Sequence, residues 1–130
     1  MKALLEEIKI NEGFRGSVYK DTEGFDTIGY GTKLPINENE AALLAEHRLK
    51  SKIKEIEKRE PFINSLSEDK QAVIIEMCYQ MGVSGVLKFA KMWAALKAGD
   101  TAEAAAQMLD SRWAMQTPNR ARLLADKMRR

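Results

Sequence analysis

A chain of 130 residues, 45% hydrophobic and 31% charged, has enough apolar material for the core of one domain and enough charge for a solvated surface. No stretch approaches the roughly 18–20 apolar residues needed to span a bilayer, which excludes stable membrane insertion. The net charge of +2 is unevenly spread: residues 111–130 hold Arg112, Arg120, Arg122, Lys127, Arg129 and Arg130 against Asp126 alone, a local +5 that leaves the rest at −3. Such asymmetry suits an anionic partner such as nucleic acid, phospholipid or a bacterial envelope polymer. It equally suits cations at the end of a C-terminal helix, and the charge alone does not choose. Cys78 is the only cysteine, so an internal disulfide and cysteine-based zinc or redox motifs are excluded. Its setting, AVIIEMCYQMG, reads as that of an inert buried thiol. The start, MKALLEEIKI, carries two glutamates where a secretory signal would be apolar, so no cleavable signal is expected.

Taken in chain order, residues 2–12 are predicted to form a helix with Leu4, Leu5 and Ile8 on one face, stopped by Gly13. Residues 17–34 interleave valine, tyrosine and threonine with glycines and read as a β-hairpin closed by Pro35. Its turn, Asp21-Thr22-Glu23-Gly24, has aspartate first and glycine fourth, as a type I turn prefers. Everything beyond is predicted helical. Asn37 with Glu40 forms a capping-box start to a long helix ending near Lys58. Ser67 opens a very apolar helix that stops at Gly82, a third runs over 84–98, and Asp100 opens a fourth ending near Leu109. Thr117-Pro118 opens the last helix. The fold class is α+β: one domain, with a small hairpin lobe over about 13–36 and a helical body from residues 1–12 and 37–130.

Glu12 lies four residues past Ile8 and eight past Leu4, so a helix reaching that far continues the apolar stripe and turns its carboxyl inward. Burial and the negative end of the helix dipole both favour the protonated acid, as a general acid requires. From position alone, a surface glutamate at a frayed helix end is the simpler reading. Asp21 needs no catalytic reason to start a turn, and Thr27 is an ordinary strand residue. In a continuous strand, however, Phe25, Thr27, Gly29 and Gly31 share one face, and a hydroxyl beside two bare backbone positions admits close approach of a ligand. Glycines that bend the hairpin account for the same pattern.

The segment INEGFRGSVYKDTEGFDTIGYG closely resembles the phage-type lysozymes, the endolysin family whose signature runs glutamate, aspartate, threonine. YQMGVSGV, from Tyr79 to Val86, resembles the family's central helix and following turn, and SRWAMQTPNRA, from Ser111 to Ala121, its C-terminal tryptophan and TPNR segment. Three blocks in one order span nearly the whole chain. The resemblance implies a lysozyme-like fold and cleavage, without metal or cofactor, of the N-acetylmuramic acid to N-acetylglucosamine linkage in the peptidoglycan glycan strand. It implies that Glu12 protonates the glycosidic oxygen while Asp21 and Thr27 hold the attacking water. Arg120 would lie near Glu12, Tyr79 and Gln80 would line the glycan groove, and Gly31 and Lys33 would border the substrate. A monomer is expected, made in the cytoplasm and acting on the wall after release.

The chain departs from the family in places. Thr32 stands where histidine is common, and Lys33 where the cleft edge is often apolar. The link Lys33–Ile36 is short, so part of the usual small lobe is missing, and the chain stops soon after its last helix starts. His47 is expected to face solvent, Met77, Met81, Met92, Met108 and Met115 to fill the core, and Trp93 and Trp113 to anchor the helical body. The charges of LKSKIKEIEKRE are expected to form a solvated face of i,i+4 pairs. A catalytically silent muramidase-like domain that binds cell wall or a protein is the alternative, opposed by the intact trio. A nucleic-acid binder is opposed by the small overall charge and the absence of a reading motif.

Overall fold

In a computed structural model that describes residues 1–130, the first helix, α1, runs Lys2–Glu12 and stops at Gly13. Gly13 adopts φ +72°, which favours glycine, and its N–H reaches back 2.9 Å to the Lys9 carbonyl. Strands β1 (Arg15–Lys20), β2 (Asp26–Gly29) and β3 (Thr32–Lys33) follow, forming an antiparallel sheet in that order. The predicted Asp21–Gly24 turn forms, its Gly24 N–H donating to the Asp21 carbonyl at 3.0 Å.

The single hairpin expected over 17–34 gains a third strand, because Tyr30 and Gly31 turn the chain again and bring Lys33 opposite Thr27 and Thr32 opposite Ile28. The shared face expected of Phe25, Thr27, Gly29 and Gly31 is therefore interrupted. Phe25 precedes β2, Gly31 lies beyond its end, and Gly29 and Gly31 turn at φ +70° and +73°. A second expectation also fails. No residue of α1 is buried, and Leu4, Leu5 and Ile8 remain 50%, 56% and 41% exposed. Helical periodicity specifies which side chains share a face, but it does not supply a surface to cover them.

Helix α2 (Glu38–Arg59) opens on the predicted capping box, with the Asn37 side chain accepting from the Glu40 N–H at 2.9 Å and Glu40 accepting from the Asn37 N–H at 3.0 Å. Two compact units divide within it, residues 1–44 and residues 45–130. Of the i,i+4 pairs expected over Leu49–Glu60, Glu55–Arg59 forms, whereas Lys50 pairs with Glu46 before that stretch, and His47 is exposed. The second unit continues through a 3₁₀ turn (Pro61–Ser65), α3 (Glu68–Met81), α4 (Val83–Leu87), α5 (Ala90–Lys97), α6 (Thr101–Leu109), α7 (Arg112–Gln116) and α8 (Pro118–Arg129).

The helix predicted over 84–98 is thus two helices. The Trp93 indole N–H donates to the Val86 carbonyl at 3.1 Å and the Phe89 N–H donates to it at 3.1 Å, taking the acceptor that a continuous helix gives to residue 90. Helix α7, absent from the sequence reading, is capped by Ser111, whose hydroxyl accepts from the Ala114 N–H at 3.1 Å.

The core of this unit draws Val73, Ile74, Met77 and Cys78 from α3 together with Met92, Met108 and Met128 from α5, α6 and α8. Trp93 and Trp113 are buried as expected, and Met81 packs on the core's edge. Met115 does not join them: it is 82% exposed, because α7 buries Trp113 and Ala114 instead. Burial pushes the Cys78 thiol up to about 11, assisted by the Glu55 charge, so it stays protonated and inert. No helix is long and apolar enough to cross a membrane.

Candidate active site

Glu12 is the last residue of α1, and its place is set by the turn between β2 and β3. Tyr30 in that turn stacks at a tilt on Phe14 with ring centroids 5.6 Å apart, and the Lys9 ammonium lies 5.4 Å from the Tyr30 ring centre. The Glu12 carboxyl rests on the bare backbone of Gly31: a Cβ built there would fall 2.5 Å from Glu12 Oε2 and 2.6 Å from its carboxyl carbon. The side chain is exposed rather than turned inward, so the apolar stripe of α1 does not bury it.

Asp21 follows β1 at the other end of the strand pair. Its Oδ1 accepts from the backbone N–H groups of Phe25 at 2.8 Å and Glu23 at 2.9 Å. Lys33 Nζ stands 3.8 Å from Oδ2 and 4.0 Å from a Glu23 carboxylate oxygen, over the Phe25 ring. The Phe25 hydrogen bond, then those of Glu23 and the Lys33 charge, hold the Asp21 carboxyl below its ordinary value against partial burial, its side chain being 19% exposed. The lowered value keeps Asp21 ionised as pH falls through the ordinary carboxylate range. Lys33 thus serves the aspartate directly, a pairing that sequence separation conceals and that strand register creates.

Thr27 sits on the middle strand, opposite Tyr19 of β1 and Lys33 of β3. It is 2% exposed and is the one buried side chain of residues 1–44. Its hydroxyl donates to the Phe25 carbonyl at 2.9 Å, so its proton is committed and its lone pairs are left to accept. Glu12 with Gly31, and Asp21 with Lys33, therefore occupy opposite ends of β2, with Thr27 on the strand that joins them.

The remaining candidates lie in the second unit. Tyr79 and Gln80, at the end of α3, line a cleft of about 370 Å³ with Arg48, Ser51 and Lys52 of α2 and with Gly82. The Gln80 carbonyl oxygen accepts from the Trp113 indole at 2.9 Å. Arg120 Nε donates to Glu76 at 2.8 Å, a half-exposed pair joining α8 to α3. Glu76 was missed in the sequence, although a lone carboxylate inside the apolar run AVIIEMC is itself a sign that a cation sits opposite. Arg48, Ser51 and Lys52 were missed because the i, i+3, i+4 spacing that unites them also describes a solvated face.

Comparison with known proteins adds to this geometry. Probable T4-type lysozyme 1 of Dictyostelium discoideum is 32% identical over 152 positions, covering 92% of this chain and 89% of that protein. Probable T4-type lysozyme 2 of the same organism is 30% identical over the same extents. An alignment longer than the 130-residue chain means that both relatives carry internal segments that this chain lacks. The pre-baseplate central spike protein Gp5 of Enterobacteria phage T4 is 32% identical over 150 positions, which cover 92% of this chain but 26% of that protein. The phage lysozyme family profile itself matches residues 9–130, a span that takes in Glu12, Asp21, Thr27 and the whole helical unit, and the chain belongs to that family.

Proposed function

We propose that this chain is a muramidase that hydrolyses the β-1,4 bond between N-acetylmuramic acid and N-acetylglucosamine in peptidoglycan, with inversion at the anomeric carbon. Glu12 is the general acid that protonates the leaving oxygen, and Asp21 is the general base. The reading treats residues 1–130 as one lysozyme-type domain with a small lobe at about 13–36, working as a monomer. Gly31 seats the acid, Lys33 keeps the base ionised, and Tyr79, Gln80 and Arg120 serve substrate binding as the family resemblance implies. This chemistry calls for no cofactor.

The observation that carries the reading is the donor and acceptor state of Asp21 and Thr27. Asp21 Oδ1 is taken by two backbone N–H groups, which leaves Oδ2, and the Thr27 hydroxyl has already spent its proton on Phe25. Both groups can only accept. A water between them gives one hydrogen to each and turns a lone pair outward, the state required of a nucleophile. Strand length supports the same assignment: β2, Asp26–Gly29, separates the Asp21 turn from the Gly31 turn that seats Glu12. At about 3.3 Å per residue that is on the order of 10 Å between the turns, nearer the about 6.5–9.5 Å carboxyl spacing of inverting glycosidases than the about 5–5.5 Å of retaining ones.

Proton NMR of the first-formed product tests the reading. Inversion gives the α-anomer before mutarotation, and a β-anomer appearing first would remove Asp21 and Thr27 from these roles. Glu12→Gln keeps shape and folding but should lower the hydrolysis rate by at least roughly 10²-fold, the low end for general-acid catalysis. A folded wild-type chain that leaves bacterial walls intact would show a silent binding domain instead.

A further inference from the structure

Lys33 stands between two carboxylates and closes on neither. Its Nζ lies 3.8 Å from Asp21 Oδ2 and 4.0 Å from Glu23 Oε2, outside hydrogen-bond reach of both, and 5.0 Å from the centre of the Phe25 ring. An exposed lysine that faces a single carboxylate behaves differently on this same sheet: Lys20 Nζ reaches Asp26 Oδ1 at 2.7 Å. Lys20 and Asp26 thereby occupy one another, and Glu12 of α1 rests on Gly31 at the other end of β2. Glu23 and Lys33 are then the charged groups beside Asp21. One turn supplies the whole arrangement. Glu23 and Phe25 give their backbone N–H groups to Asp21 Oδ1, and the same two residues present a carboxylate and a ring to Lys33.

An ammonium that closed on Oδ2 would take the acceptor on which a water-activating base depends, because Oδ1 is already filled by two N–H groups. Resting on the general-base reading of Asp21 above, we propose that Glu23 is a positioning residue that, with the Phe25 ring, holds Lys33 off Asp21 Oδ2. The charge of Lys33 then acts on the base while its N–H donors do not. The two effects separate because they fall off differently with distance. Coulomb attraction at 3.8 Å is still about three quarters of its value at about 2.8 Å, whereas the hydrogen bond is lost. Glu23 pulls the ammonium from the other side with an equal charge, and the ring beneath adds a cation–π attraction. Glu23 and Lys33 are both exposed, so replacing either leaves no cavity.

A double-mutant cycle read by carboxyl NMR titration of Asp21 separates this inference from catalysis. Glu23→Gln frees Lys33 to close on Oδ2, so it should move the Asp21 titration markedly downward in pH in the otherwise unchanged chain. In the Lys33→Met chain no ammonium can move, and the same substitution should have only a slight effect. In wall hydrolysis, Glu23→Gln should lower kcat about ten-fold with KM unchanged, a part of the roughly 10²-fold or more that a general base supplies. Adding Lys33→Met should recover most of that loss at neutral pH, and Glu23→Asp, which keeps the charge, should lose less than Glu23→Gln. An equal movement of the titration with and without Lys33, a kcat loss that Lys33→Met does not relieve, or a raised KM would each overturn the assignment. A wild-type chain that shows the coupled titration but lyses no walls would keep the restraint on Lys33 and discard the enzymatic reading.

Discussion

At Gly31 a single missing side chain holds both a backbone turn and a carboxylate in place. Its φ of +73° disfavours any L-residue, and the Glu12 carboxyl occupies the space in which a Cβ would stand. Gly31→Ala should lower stability by about 1–2 kcal/mol from the backbone term alone. It should also cut lysis on the order of 10²-fold, the effect of misplacing a catalytic group by about an ångström. Thermal melting and a turbidity assay read the two effects separately, and undiminished lysis would show that Gly31 does not seat the acid. Residues whose role is local were legible in the sequence, as with Asp21, where the turn that any aspartate favours also ties down Oδ1 and lowers the pKa. Partners set by register or by helix packing were not: Lys33 beside Asp21 requires β3, and Glu76 beside Arg120 requires α3 and α8 to meet.

Helix starts were the most legible elements, because caps are local chemistry. The reciprocal hydrogen bonds of Asn37 and Glu40 begin α2 where the capping box predicts, and the Asp100 carboxylate caps α6 by accepting from the Glu103 N–H at 3.0 Å. Asn37→Ala removes an acceptor from the first turn of α2 and should cost about 1 kcal/mol in thermal or urea unfolding. An unchanged midpoint would show that solvent replaces the cap without loss. The division between α4 and α5 was illegible because its cause is tertiary: the Val86 carbonyl is claimed by an indole seven residues on, and no propensity scale registers that contact. The third strand was missed for a related reason, since two residues are too few for an alternating pattern to show.

Over the whole molecule, burial is distributed very unequally. The α+β class and the order of elements could be read from punctuation and periodicity, but the apolar stripe of α1 gave no warning that it would stay uncovered. Residues 45–130 share one extended apolar core, whereas residues 1–44 bury the side chain of Thr27 alone. The three residues proposed for the chemistry all lie in that sparsely buried stretch, held by turn hydrogen bonds, an aromatic contact and a glycine seat. Segments with few buried contacts open at free energies well below that of global unfolding. Catalytic competence and helical content should therefore be lost at different denaturant strengths. In a urea series, wall lysis should fall away while the far-ultraviolet signal of the helical unit is still near its native value, and coincident midpoints would show the two units to be thermodynamically one. In such a protein, loss of function is an earlier and gentler event than loss of structure, and a sample that still looks folded by its helices can already be inactive.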